Sequence, residues 1–140
     1  MPKRWMLAWL MAVVLLAGVC DAGVVEEVKF TPGSNSALLA GSVVRGERDQ
    51  YFLTAKAGQK MEVSITAVEK NAVFSIYQPG YKTSKGEFGI MEIAGATLRG
   101  TGEGEDATAW KGVLPKSGKY LIVVGGTRGN ATYKLKITIR

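Results

Sequence analysis

The side chains best suited to chemistry stand on one glycine-rich stretch, Gly125-Gly126-Thr127-Arg128-Gly129-Asn130. Arg128 carries a guanidinium rich in N–H donors, Thr127 a hydroxyl and Asn130 an amide, on a backbone that glycine lets approach a partner closely. Such a donor set suits a carboxylate acceptor. The same residues also read as a plain turn, in which Gly and Asn take positive φ and Arg128 is only a solubilising charge. Phosphate-cradling loops are glycine-rich as well. They lead from a strand into a helix whose amino end receives the anion, whereas here a strand pattern follows.

The rest of the inventory excludes more than it offers. The chain has no histidine and a single cysteine, Cys20, which removes imidazole-based hydrolases and the usual zinc sites. Ser117 and Lys119 would share a face of a strand and could form a nucleophile and base pair, although a turn serine and an exposed lysine is the simpler reading. Carboxylates could run glycoside hydrolysis. However, Glu103, Glu105 and Asp106 cluster in a loop and Glu47 and Asp49 flank Arg48 in a charged turn, with no obvious cleft beside either group. Calcium takes about six to eight oxygen ligands. The Glu103 cluster lacks the spaced order of a dedicated calcium loop and reads as solvated, so no metal, cofactor or enzymatic activity is expected. Tyr77, Tyr81 and Trp110 are the aromatics that would serve a glycan if exposed, with packing as the alternative for each.

Strands must position these residues. From Tyr133 to Ile139 the chain alternates, with Tyr133, Leu135, Ile137 and Ile139 on one face and Lys134, Lys136, Thr138 and Arg140 on the other. Tyr120 to Val124 is apolar throughout, as in a strand covered on both sides. With the turn residues between them, these runs predict a hairpin whose tip carries Arg128. Upstream, strands are expected over Val28–Phe30, Ala37–Val44, Gln50–Ala55, Lys60–Thr66 and Ala72–Gln78, with Met61, Val63 and Ile65 facing inward. Tyr81 to Asp106 should hold one short strand and long loops, and Trp110–Leu114 resumes the β pattern. About eight strands with no helical periodicity predict an all-β, two-sheet antiparallel sandwich in preference to a small barrel.

Lys3-Arg4 followed by the apolar run Trp5 to Val19 reads as a secretory signal, and Cys20-Asp21-Ala22 supplies the small residues of a cleavage site. The expected division is a signal peptide over 1–22 and one β-sandwich domain over 23–140, with lipidation at Cys20 as a further possibility. The full chain carries 18 Lys and Arg against 12 Asp and Glu; removing Lys3, Arg4 and Asp21 leaves 16 against 11, or +5. That excess is mild and forms no basic run, so nucleic acid is not an expected partner and a protein with an acidic cleft is. Membrane contact is expected only through the signal peptide. A cysteine-free exported domain suits a bacterial periplasm.

The order Val28-Lys29-Phe30, Gly33-Ser34 with Ser36-Ala37, Gly41, Gly46, Tyr51, Ala57-Gly58-Gln59, Tyr77 with Pro79-Gly80, Leu114-Pro115, Ser117-Gly118-Lys119-Tyr120 and Thr127-Arg128 resembles the periplasmic inhibitors of goose-type lysozyme. It also resembles the wider pre-peptidase C-terminal domain class. The resemblance implies a sandwich of jelly-roll type and a protein that blocks the acidic catalytic cleft of a lysozyme with a basic hairpin loop. Ser117, Gly118 and Tyr120 match the family's Ser-Gly-x-Tyr, Arg128 matches the arginine after the following strand, and Thr127 and Asn130 complete the expected binding loop. Where the inhibitors continue with further basic residues, this chain turns at once through Gly129-Asn130. The alternative that the resemblance leaves is a non-catalytic accessory module that binds envelope glycan, calcium or a secreted partner.

Overall fold

The computed structural model describes residues 23–89 and 91–140, so the signal peptide, its cleavage near Ala22 and the Cys20 lipid site fall outside the described residues. Within them lie ten strands: β1 (Val25–Glu27), β2 (Ser36–Val43), β3 (Arg48–Ala55), β4 (Lys60–Ala67), β5 (Ala72–Tyr77), β6 (Lys82–Lys85), β7 (Met91–Ala94), β8 (Ala109–Val113), β9 (Gly118–Gly126) and β10 (Ala131–Ile139). Eight of them form two facing sheets, in the orders β1-β3-β9-β5 and β2-β10-β4-β8. From β2 to β5 each successive strand changes sheet, and β2 lies beside β10. That arrangement is a jelly-roll sandwich.

The alternating and apolar runs explain the layers. Leu135 and Ile137 of β10, Met61 and Val63 of β4, and Tyr120, Ile122 and Val124 of β9 meet in one buried core. The outer face of β9 is apolar too: Leu121 and Val123 pack with Tyr77 against Phe52, Tyr81 and Ile93. Ile93 belongs to the β6–β7 hairpin, which closes over the first sheet. The expected single short strand between Tyr81 and Asp106 is thus a two-stranded hairpin. Its strands are short and mostly exposed, so they lack the periodicity that would announce them.

The opening strand also sits elsewhere than Val28–Phe30. It is Val25–Glu27, and it runs parallel to β3, so the sandwich is antiparallel except at that edge. Pairing along β3 selects this segment despite its two glutamates, a case of tertiary context overriding local preference.

A larger correction concerns β9 and β10, which are not a hairpin. β9 pairs with β3 and β5, whereas β10 pairs with β2 and β4 in the opposite sheet. With both edges of each strand occupied, the connection over 127–130 crosses between layers about 10 Å apart. Gly-rich turns between β runs serve hairpins and crossovers alike.

Asp49, expected in a charged turn, lies inside β3 and is 1% exposed. Its Oδ2 accepts the Tyr133 hydroxyl at 2.5 Å and its Oδ1 accepts the Val24 amide at 2.8 Å, while the Tyr51 and Tyr133 hydroxyls share a further bond at 2.5 Å. The network joins β3 of one sheet to β10 of the other. Gly41, directly opposite Tyr133, makes room for it: a Cβ there would fall 2.5 Å from the phenol oxygen.

Removing the Tyr133 hydroxyl leaves a buried carboxylate short of a donor, so Tyr133→Phe is expected to cost about 1.5 to 3 kcal/mol in urea denaturation at neutral pH. Burial, reinforced by the contacts with Asp49 and Tyr51, holds the Tyr133 phenol above its ordinary 10.0; burial also raises Tyr51, against a smaller lowering by the Tyr133 bond. Phenols raised in the folded state contribute stability that is complete below about pH 10 and lost as the pH climbs towards their folded values. Stability should therefore fall above about pH 10, and less steeply in Tyr51→Phe/Tyr133→Phe. Parallel slopes for the two proteins would exclude these phenols as the cause.

Candidate functional site

Three connections cross between the sheets at one end of the sandwich: 44–47 between β2 and β3, 68–71 between β4 and β5, and 127–130 between β9 and β10. Each needs a left-handed residue to turn: Gly46 (φ 83°), Glu69 and Lys70 (φ 60° and 53°), and Gly129 (φ 82°). At Gly46 and Gly129 glycine takes this conformation freely. At Glu69 and Lys70 it is uncommon for the residue types and has to be held by the surroundings.

Asn71 is the hub of the holding contacts. Its carbonyl accepts the Thr127 amide at 2.8 Å, and its side-chain amide donates to the Asn130 carbonyl at 2.7 Å. Asn130 in turn accepts the Arg45 amide on its Oδ1 at 2.9 Å. The three connections are stitched into one surface before any partner arrives. On it stand one cation from each connection, Arg45, Lys70 and Arg128, all exposed. Glu47 and Glu69 are the acids of the same segments, and Val68, 75% exposed, supplies an apolar contact.

Six residues were expected to form one binding loop, but they lie at two ends of the molecule. Thr127, Arg128 and Asn130 belong to the stitched end. Ser117, Gly118 and Tyr120 sit at the other end of β9, whose nine residues extend over about 26 Å. There the Ser117 hydroxyl accepts the Ala57 amide at 2.8 Å, tying two turns together. Gly118 (φ 139°) faces Pro79, whose Cβ would stand 2.8 Å from an added methyl. Tyr120 is wholly buried, and its hydroxyl donates to the Lys116 carbonyl at 2.7 Å. This is the geometry of a tyrosine corner, which pins a chain reversal to the core.

The other candidates are packing groups as well. Lys119 extends over the Phe52 ring, 4.9 Å from its centre, and the Ser117 hydroxyl is taken up by the Ala57 amide. Tyr77 is buried and Tyr81 half-buried in the cluster beneath the β6–β7 hairpin. Trp110 packs against the main core and donates its indole N–H to the Arg99 carbonyl. In the acidic loop, Glu105 accepts the Gly102 amide at 2.6 Å and Glu103 stands 3.9 Å from Arg48. Among the described residues no three His, Cys, Asp or Glu side chains converge on a metal position. Sequence reasoning missed Asn71, because one asparagine after Lys70 looks like any turn residue until the three connections meet on it.

No protein-family model matches the chain, and no curated protein does. Solved structures do. PliG of Aeromonas hydrophila, a periplasmic lysozyme inhibitor of g-type lysozyme, is 34% identical, with 84% of this chain and 98% of that one covered and a TM-score of 0.63. A mutant of the Escherichia coli PliG is 26% identical over 84% and 99%, at 0.59, and the Salmonella Typhimurium PliG is 25% identical over 83% and 98%, at 0.57.

Removing the Asn71 side-chain amide unties 127–130 from its neighbour. Asn71→Ala is expected to lower stability by about 1 kcal/mol and to speed hydrogen exchange at the Arg45 and Thr127 amides. Unchanged exchange at both would show that the three connections hold themselves without the stitch.

Proposed function

The chain belongs to the family of PliG, the periplasmic inhibitors of g-type lysozyme, and on that footing we propose that it blocks such an enzyme by setting Arg128 against the carboxylates of its cleft. Glycoside hydrolases work with carboxyl groups flanking the scissile bond, so their clefts offer the acceptor that a guanidinium fits. The observation that carries the assignment to this end of the molecule is the stitched surface, on which Arg128 is exposed while its backbone is held. A donor held in advance spares the partner the entropy of ordering it. Arg45 and Lys70 add positive charge nearby, which steers an acidic cleft towards the loop and raises the association rate more than the final affinity.

The short turn after Arg128 bears on how this works. Gly129 and Asn130 lead directly into β10, so the loop presents one guanidinium on a low ridge. Affinity then depends on the fit of that single group within a dry contact, with Thr127 next to it in the chain and Val68 exposed on the neighbouring connection to exclude water.

The test is cell-wall lysis by goose-, chicken- and invertebrate-type lysozymes in the presence of the purified protein, with the goose type expected to be inhibited. Arg128→Ala should raise the inhibition constant at least about tenfold, or roughly 1.4 kcal/mol, with an unaltered melting temperature. An unchanged constant would remove Arg128 from the mechanism. Inhibition of none of the three enzymes would move the protein to the accessory-module class.

A further inference from the structure

The outer faces of the two sheets differ. The first is covered by the β6–β7 hairpin, whereas among the described residues nothing packs on the second. Alternation along β10 sends Lys134 and Lys136 outward there, both exposed. Around them stand Lys60, Lys111 and Arg140, and the face holds one acid, Glu62, which lies 3.7 Å from Lys111 and 3.6 Å from Arg140. Lys134 is flanked across the strands by Ala40 and Thr66, and Lys136 by Leu38 and Ser64, so neither has a carboxylate opposite.

The balance is lopsided. Residues 23–140 carry 16 Lys and Arg against 11 Asp and Glu. This face holds five of those cations and one of those acids, so it accounts for +4 of the net +5, and the remainder of the molecule is close to neutral. Fields from charges gathered on one flat surface add up, and they attract an extended anionic surface better than a point ligand.

Two further observations indicate what that surface is. Leu38 is 67% exposed and Val113 58% exposed, each outward on an edge strand of this sheet and each beside a lysine, Lys136 and Lys60 respectively. The one aromatic at this face is Trp110, which is half-buried against the core and held by its indole N–H on the Arg99 carbonyl, so it offers an edge beside Lys136 and not the open ring on which a sugar stacks. Cations flanked by exposed aliphatic side chains are the composition of interfacial binding to anionic lipid.

We propose that the outer face of the β2-β10-β4-β8 sheet is a second interaction surface, which seats the protein on an anionic phospholipid bilayer. Lys134 and Lys136 meet the headgroups, and Leu38 and Val113 enter the interface at either side. The stitched end stands at the end of the strands and not on their face, so it stays free to engage a protein while this face is occupied. The two contacts are independent.

Protein purified from the periplasm after export is sedimented with vesicles of equal parts phosphatidylglycerol and phosphatidylcholine, and with vesicles of phosphatidylcholine alone. The anionic vesicles should be bound at least about tenfold more tightly, with affinity falling as salt rises from about 50 to about 300 mM. Lys134→Glu/Lys136→Glu should lose at least about tenfold of that affinity while keeping its melting temperature and its action on lysozyme. Lys134→Gln/Lys136→Gln serves if charge reversal lowers the melting temperature. Leu38→Ser/Val113→Ser should weaken binding at fixed salt. Equal binding to both vesicle types, or undiminished binding by a folded lysine variant, would overturn the proposal. So would tighter binding to a soluble uronic-acid polymer than to the anionic vesicles, which would assign the face to glycan.

Discussion

One buried carboxylate holds the Arg128 end of this protein together. Asp49 is enclosed where the two sheets approach each other, and it is tolerable there only because Tyr133 and the Val24 amide donate to it. An ionised group left unpaired at that depth would cost far more than any neighbouring contact returns. The requirement spreads outward. Tyr133 must cross the interface, so Gly41 must lack a side chain; Tyr51 must meet Tyr133, which helps set β3 against β10. Each sheet is thereby indexed against the other near the turns that carry Arg45, Lys70 and Arg128.

Those turns inherit their precision from that indexing. A hairpin tip can twist with its own two strands, but a crossover is anchored in two layers and cannot move without both. Asn71 and Asn130 then link the crossovers to one another. Rigidity at the surface of this fold comes from the way the layers are joined, even though each connection is only a few residues long.

Much of the architecture was legible in the residues. The alternation of β10 and the two-faced apolar run of β9 could mean little else, and both strands sit as their patterns predict. Pairing was less legible, because a turn of glycine, threonine and asparagine does not say whether the next strand returns beside the last or crosses to the other layer. The candidate site was legible only in part. Arg128 stands out by type and setting, whereas Ser-Gly-x-Tyr is visible for a structural reason: it builds a corner whose hydroxyl and glycine requirements leave a strong mark in sequence. Asp49 was hidden behind two charged residues, Glu47 and Arg48, which precede it in what reads as a solvated turn.

The strand order also decides where the sandwich could grow. A free strand edge exposes unpaired amides and carbonyls that can template another chain. The β5 edge is occupied, with Phe74, Ile76 and Gln78 all bonded to the backbone of the segment over 96–107. β1 is three residues long and presents two glutamates, and β8 is five long with a lysine at its centre. β2 is different: eight residues, Ser-Ala-Leu-Leu-Ala-Gly-Ser-Val, without a charge or a proline. Of the four edges of the two facing sheets it is, among the described residues, the one that length and charge leave unguarded, so edge-to-edge association of those sheets would enter there, on the flank of the same sheet that gathers the positive charge.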